Sequence, residues 1–147
     1  MKVRCISQKG ELLTEQYIDP RRGLTRDHDF NLTLDKDYVI YALAVRGNQV
    51  WYYIVDDCEG WFPINRPAPL FRVIDDRVSR FWTIKLTPGN PDHDILFAFE
   101  EWDSDDRFYD RLTDRSPLEV SAFVARKLLM DEEFSEKQRT SETDHQL

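Results

Sequence analysis

The tripeptide Asp-His-Asp occurs twice in the chain, at residues 27–29 and at residues 92–94. Neutral imidazole and carboxylate groups bind divalent metal ions, so the two tripeptides would form a metal site if the fold brought them together. Neighbouring side chains rarely all point at one ion, however, and polar tripeptides of this kind are typical of solvated loops. We therefore predict that the protein holds no metal and no cofactor.

A catalytic group would have to be built from the acidic residues around Cys58. Asp56, Asp57 and Glu59 flank this cysteine, and paired carboxylates can act as a general acid and base. A nucleophilic cysteine needs a histidine nearby, but the three histidines lie at positions 28, 93 and 145. Aspartates also stabilise tight turns, so we interpret residues 56–60 as a turn. The five glycines form no phosphate-binding loop, and we predict that the protein is not an enzyme.

One local basic cluster lies in residues 19–31, a long segment without a clear helix or strand pattern. Loops of this length are usually functional or disordered. The ordinary interpretation is a solvated loop whose arginines pair with neighbouring aspartates. The alternative is a small-molecule or nucleic-acid site, which a concave aromatic pocket beside these arginines would favour. The residues of this alternative site are Arg21, Arg22, Arg26, Tyr52 and Trp61.

The net charge of −8 is concentrated in the last third of the chain. Residues 100–116 and residues 131–147 each carry −4, whereas residues 1–99 carry −1. Acidic surfaces accelerate association with basic partners, and tryptophan and tyrosine anchor protein interfaces. The predicted partner-binding residues are Trp102, Asp103, Asp105, Asp106, Tyr109 and Asp110. We interpret the protein as a non-enzymatic binding module of the inhibitor or immunity type, whose protein partner has a basic surface.

Composition also disfavours other classes of protein. A net charge of −8 does not suit a broad basic face for nucleic acid. The longest apolar run, residues 39–45, is far shorter than the ~20 residues that span a membrane. The N-terminus lacks the apolar region of a secretory signal, and the two cysteines do not suit a disulfide scaffold. We therefore expect a cytoplasmic protein with no membrane partner and with reduced thiols.

The first two-thirds of the chain is predicted to form β-strands. Gly47 and Asn48 separate two apolar runs and favour a tight hairpin turn. Pro63, Pro67 and Pro69 predict a stiff loop without ladder hydrogen bonds. Residues 80–99 are predicted to form a second hairpin. The predicted strands are residues 2–6, 38–45, 50–55, 61–62, 70–74, 80–86 and 95–99.

The last third is predicted to be helical. A short helix is expected over residues 105–112 and a longer one over residues 117–134. Ser116, Pro117 and Glu119 have the pattern of a capping box at the start of the longer helix. Its predicted buried stripe comprises Val120, Phe123, Val124 and Leu128, flanked by Leu118 and Met130. We expect one domain over residues 1–134, with a β-rich part at 1–99, a helical cover at 100–134 and a disordered polar tail at 135–147.

The first half of the chain also resembles a known family. The resemblance lies in Leu32-Thr33 followed by Lys36 and Tyr38, in the strand that ends at Asp56-Asp57, in Phe62-Pro63, and in residues 70–74. Over residues 1–75 the chain resembles small SH3-like β-barrel proteins of bacteria and phages, and as a whole it resembles acidic bacterial immunity-type proteins. The first resemblance implies a fold and no catalytic residues. We predict an α+β protein, with an SH3-like β-barrel or a curved antiparallel sheet on which C-terminal helices pack.

Overall fold

The chain folds into two antiparallel sheets followed by helices, so the predicted α+β class is confirmed. The structure, a computed structural model, describes residues 1–58 and 60–145, with side chains up to residue 135. The strands are β1 (Lys2–Cys5), β2 (Asp37–Val39), β3 (Ala42–Arg46), β4 (Gln49–Ile54), β5 (Ile64–Pro67), β6 (Phe71–Asp75), β7 (Trp82–Leu86) and β8 (Ile95–Phe99). The helices are α1 (Glu100–Asp103), α2 (Phe108–Thr113) and α3 (Pro117–His145).

The strands are divided between a three-stranded sheet, β2-β1-β6, and a five-stranded sheet, β5-β4-β3-β8-β7. The strands that the structure describes form no closed barrel, so that alternative is not formed. The division occurs inside the predicted strand 38–45, which is interrupted at Ile40 and Tyr41. The Ile40 N–H donates to the Met1 carbonyl in one direction, and the Tyr41 N–H donates to the Tyr53 carbonyl in the other. The interruption lets one apolar run contribute to both sheets.

The two predicted hairpins are confirmed. Arg46 pairs with Gln49 across a two-residue turn, and Gly47 in this turn has a φ of 57°, which glycine adopts without strain. Strands β7 and β8 pair from Trp82↔Phe99 to Leu86↔Ile95. Both hairpins belong to the five-stranded sheet, where β3 pairs with β8.

The expectation that the prolines prevent strand pairing was wrong. Residues Ile64–Pro67 form β5, which pairs with β4 from Ile54↔Ile64 to Trp51↔Pro67. Strand β5 lies at the edge of its sheet. A proline is tolerated there because its missing N–H faces away from the neighbouring strand.

The segment between β1 and β2 is packed against the five-stranded sheet by aromatic side chains. It contains short 3-10 turns at Gly10–Leu12, Glu15–Tyr17 and Pro20–Arg22. The Val50 N–H donates to the Tyr17 hydroxyl oxygen at 2.8 Å, and Tyr17 packs edge-on against Trp51. Phe30 is fully buried. Gly10 permits the close approach of residues 25–26, because a β-carbon at this position would lie 2.9 Å from the Arg26 Cα atom.

Helix α3 buries only part of the predicted stripe, and its predicted flanking residue Leu118 is 78% exposed. Phe123 and Met130 are fully buried, and Phe123 packs edge-on against Tyr41. Val124 and Leu128 are 48% and 67% exposed, so their assignment to the core was wrong. The buried side of α3 is therefore centred on the large side chains at 123 and 130.

The contacts in the first turn of α3 differ from the predicted capping box. The Ser116 N–H donates to the Arg111 carbonyl, and the Glu119 carboxylate lies 3.9 Å from the Arg111 guanidinium. The helix begins at Pro117 as predicted and runs to His145 rather than to 134. The predicted polar tail falls largely on side chains outside the described residues and stays a prediction. Within residues 1–58 and 60–145, none of the helices has the length and apolar content of a membrane span.

Candidate functional site: a cleft on the five-stranded sheet

A cavity of about 460 Å³ lies over one face of the five-stranded sheet. Its floor follows a row of paired positions across four strands, with Lys85 opposite Leu96, Leu96 opposite Ala44, and Ala44 opposite Trp51. Directly paired residues place their side chains on the same face of a sheet. Ala44 is the smallest member of this row, so the floor is lowest at the centre of the sheet. We call this cavity the sheet cleft.

Helices α1 and α2 form one wall of the sheet cleft. Helix α1 directly follows β8, so the chain folds back over the end of the sheet. Trp102 on α1 stacks on Tyr109 of α2, with ring centroids 5.3 Å apart, and contacts the edge of Tyr53 at 4.9 Å. The Tyr109 hydroxyl donates to the Pro63 carbonyl at 2.8 Å, which fixes α2 against the entry to β5.

Residues 22–30 form the opposite wall, and the loop between β7 and β8 closes one end. The Asp19 carboxylate accepts a hydrogen bond from the Arg21 N–H at 3.2 Å, which stabilises the turn that carries Arg22. Phe30 lies beneath the Arg66 guanidinium, 5.7 Å from ring centroid to Cζ. His93, in the closing loop, is held through its Nδ1 atom, 2.8 Å from the Thr87 hydroxyl. Side chains from the segment before β2, from all five strands of the sheet, and from α1 and α2 therefore line this cavity.

Positive and negative side chains line the sheet cleft in equal number, in a chain whose net charge is −8. The cations are Arg22, Arg46, Arg66 and Lys85, and the anions are Asp92, Asp105, Asp106 and Asp110. Some are neutralised locally: Lys85 pairs with Asp106, Asp105 with Arg111 at 2.6 Å, and Arg66 with Asp56 at 2.7 Å.

Four of the charged side chains that line the sheet cleft form no ion pair with any residue that the structure describes. They are Arg22, Arg46, Asp92 and Asp110. Unpaired charges of both signs beside aromatic side chains are suited to a ligand that carries an anionic group and hydrogen-bond donors.

Two unpaired side chains of opposite charge, Arg22 and Asp92, act on the Tyr53 hydroxyl. Burial raises the pKa of Tyr53 to about 12; the Asp92 carboxylate acts in the same direction and the Arg22 guanidinium acts against it. The Tyr53 hydroxyl has no hydrogen-bond partner among the described residues, although the ring is packed against Trp102 and Tyr109. It is therefore available to a ligand.

The raised pKa of Tyr53 predicts a loss of stability at alkaline pH. The usual tyrosine pKa is 10.0, so the unfolded chain loses this proton first as the pH rises. The free energy that protonated Tyr53 contributes to folding is complete below pH 10.0. It declines as the pH rises from 10.0 to about 12. Urea unfolding over this pH range should show a shallower decline for Tyr53→Phe than for the unsubstituted chain. Parallel declines of the two proteins would contradict the assignment.

The structure places the predicted partner-binding residues in different surroundings. Trp102 is 5% exposed and Asp103 is 8% exposed, so neither offers its side chain to a partner. Asp103 accepts a hydrogen bond from the Thr83 hydroxyl, and burial raises its pKa. Asp105 and Asp106 are ion-paired within the chain, Tyr109 is half-buried, and Asp110 is exposed. Trp102 is buried and Tyr109 is half-buried because α1 folds onto the sheet. The local sequence does not specify this packing.

The residues of the predicted ligand site are separated by the fold. Arg22 lines the sheet cleft, whereas Arg21 does not, and Arg26 pairs with Glu15 at 2.7 Å. Tyr52 is buried against Phe71, away from the sheet cleft. Trp61 packs against Phe62, with the Arg115 guanidinium over its ring.

Sequence reasoning missed several residues of the sheet cleft: Trp51, Tyr53, Arg46, Arg66 and Lys85. The alternation of a strand places Trp51 and Tyr53 on one face and Tyr52 on the other. Ala44, a small residue in a run of large ones, marks the same face. These two signals together would have favoured Tyr53 over Tyr52.

His28 and His93, the histidines of the two Asp-His-Asp tripeptides, both line the sheet cleft. Within the described part of the chain, however, no group of three His, Cys, Asp or Glu side chains is arranged to hold a metal ion. The carboxylates at these loops have structural roles: Asp27 accepts from Thr25, Asp29 from the Asn31 N–H, and Asp94 from the Gly47 N–H.

The carboxylates at residues 56–57 also have structural partners. Asp56 accepts from the Cys58 N–H at 3.1 Å, which agrees with a turn at this point. Asp57 accepts a hydrogen bond from the Tyr38 hydroxyl at 2.9 Å and pairs with Lys36. Cys58 is exposed and Cys5 is buried, and both are free thiols.

Comparisons of the chain with protein-family models, with curated proteins and with solved structures give no match. The resemblances to SH3-like barrel proteins and to immunity-type proteins therefore stay predictions. The function has to be inferred from the geometry and charge of the sheet cleft.

Proposed function

We propose that this protein is a non-catalytic binding protein that holds a small planar ligand in the sheet cleft. The observation that carries this proposal is the cavity of about 460 Å³ itself, which combines aromatic lining residues with unpaired charged groups. Ligand sites in proteins are typically concave, about 300–1,000 Å³ in volume, and lined by apolar and aromatic side chains with a few polar groups. The sheet cleft has this volume and several aromatic side chains, and its lining is more polar than is typical, with four positive and four negative side chains.

Hydrogen bonds and ion pairs within the chain hold several polar side chains of the sheet cleft in position. The Thr87 hydroxyl donates to the backbone oxygen of His93 at 2.8 Å, so its proton is used in a hydrogen bond within the loop. Lys85 and Asp105 are ion-paired to their neighbours. The proposal therefore assigns these groups to recognition and includes no catalytic step.

Filling the floor of the sheet cleft should abolish ligand binding. Ala44→Leu adds a larger side chain to the floor, which takes up ligand space. Because Ala44 is 4% exposed and packs in the core, the cooperative melting of the ligand-free variant is measured first to show that it folds. We expect compounds from a library of small planar molecules to raise the melting temperature of the unsubstituted protein and to leave that of Ala44→Leu unchanged. A thermal-shift screen makes the comparison.

Ala125→Leu is the matched control, since Ala125 is exposed on α3 and is not part of the sheet cleft. It should retain the ligand-induced shifts. Shifts of equal size in both variants, or the absence of shifts in the unsubstituted protein, would overturn the proposal.

A protein partner with a basic surface is the second candidate. It is favoured by the position of Asp105, Asp106 and Asp110, which all lie on the wall formed by α1, α2 and their linker. Binding of this kind would be steered by charge, so association should slow as the salt concentration rises. A basic protein that binds without this salt dependence would argue against steering by the acidic wall.

A further inference from the structure

We propose that the ligand of the sheet cleft is a nucleoside monophosphate, and that Arg22, Arg46 and Arg66 bind its phosphate group. This inference rests on the proposed function, because it names the class of ligand for the same site. The three arginines come from separate elements: the turn Pro20–Arg22, the end of β3, and β5. All three line one cavity.

Two of these arginines are free to bind an anion. Arg22 and Arg46 are exposed, and neither forms an ion pair with a residue in the described ranges 1–58 and 60–145. An unpaired guanidinium on a cavity wall offers charged hydrogen-bond donors to an anion. A bound oxyanion would supply the missing counter-charge.

Arg66 is the fixed member of the group. Its Nη2 atom pairs with the buried Asp56 carboxylate at 2.7 Å, and its side chain is 15% exposed. Its Nε atom is buried and has no hydrogen-bond partner among the described residues. A buried donor without an acceptor is costly, so this guanidinium is left short of one acceptor. Because Asp56 and Phe30 already hold this guanidinium, its orientation requires little ordering on binding.

The number of donors favours a phosphate over a carboxylate. Each guanidinium has five N–H donors in a planar arrangement, and a carboxylate with two oxygens is satisfied by a single arginine in bidentate geometry. A phosphate monoester has three terminal oxygens and carries a charge of about −1.5 to −2 at neutral pH. Three arginines from three directions therefore match a phosphate group better.

The remaining polar side chains of the sheet cleft indicate what the phosphate is attached to. Asp92 and Asp110 are unpaired within the described chain and would repel a phosphate, so they face groups of the ligand that donate hydrogen bonds. Asn65 and Asn90, which also line the cavity, supply both donors and acceptors. The edge of a nucleobase presents the same mixture of donors and acceptors, and its planar ring suits the aromatic side chains of the lining, among them Trp51 and Tyr53.

Calorimetric titration tests this inference. The probes are the four common ribonucleoside 5′-monophosphates, the corresponding nucleosides and inorganic phosphate. We expect at least one monophosphate to bind, and its nucleoside to bind at least about tenfold more weakly, because the charged hydrogen bonds to the phosphate are lost. Arg22→Gln and Arg46→Gln should each weaken binding of the monophosphate by about tenfold.

Arg21→Gln is the matched control, because Arg21 neighbours Arg22 in the same exposed turn and does not line the sheet cleft. It should bind the monophosphate within about twofold of the unsubstituted protein. Equal binding of nucleoside and monophosphate, or equal losses in Arg21→Gln and Arg22→Gln, would overturn the phosphate assignment and leave the proposed function standing.

The same experiment separates the two proposals when nothing in the panel binds. If other planar compounds still produce shifts that Ala44→Leu abolishes, the nucleotide class is wrong and the sheet cleft is still a binding site. If no compound of either set acts at the sheet cleft, both proposals fail.

Discussion

Replacement of Trp102 by alanine lowers the free energy of unfolding by about 3–5 kcal/mol, the usual cost of removing a large buried aromatic side chain. Trp102 is 5% exposed. Its indole contacts the rings of Tyr53, Phe99, Phe108 and Tyr109. Loss of these contacts leaves a cavity between α1 and the sheet. Urea-induced unfolding, followed by far-ultraviolet circular dichroism, measures the change.

Trp61→Ala provides the control for this result. Trp61 is half-buried, and its ring meets Phe62 and the Arg115 guanidinium, so its removal should cost clearly less. An exposed interface anchor at position 102, as the partner-binding hypothesis assumes, would change stability by no more than about 0.5 kcal/mol on replacement. A loss at Trp102 no greater than that at Trp61 would contradict the structure of this wall.

Replacement of Asp56 by alanine should also cost about 3–5 kcal/mol, because it leaves a buried guanidinium without its counter-charge. The Asp56 side chain is 1% exposed and that of Arg66 is 15% exposed. The same carboxylate accepts the Cys58 N–H at the end of the turn. Thermal and urea unfolding at neutral pH measure the loss.

Asp37→Ala is the matched control for Asp56. Asp37 also pairs with an arginine, Arg4, but these side chains are 32% and 36% exposed. Surface pairs of this kind contribute about 0–1 kcal/mol. If the two aspartate variants lose equal stability, the Asp56–Arg66 pair is not buried as described, and Arg66 is not held in place for a ligand.

Local signals in the sequence were sufficient for several elements. The hairpin at Gly47 depends on a turn residue between two apolar runs, and the start of α3 depends on Pro117. Both signals act over a few residues, so tertiary contacts do not need to be known. The α+β class follows from the same patterns, with strands in the first two-thirds and helices at the end.

The composition of the site could not be predicted in the same way. The exposure of Trp102 depends on how α1 folds over β8, and that of Val124 and Leu128 depends on the rotation of α3. Arg46 and Arg66 lie 20 residues apart and meet at one cavity only because β3, β4 and β5 pair in one sheet. Hydrophobic periodicity describes one element at a time, whereas a cleft is a property of several elements packed together.

The most direct test of ligand binding in the sheet cleft is a map of amide chemical shifts, recorded by two-dimensional nuclear magnetic resonance during titration with the strongest ligand from the screen. The proposal predicts that the largest changes occur at the floor and the two walls, at Arg22, Ala44, Tyr53, Leu96 and Tyr109. Changes that instead centre on the exposed apolar face of α3, at Leu118 and Leu128, would contradict it.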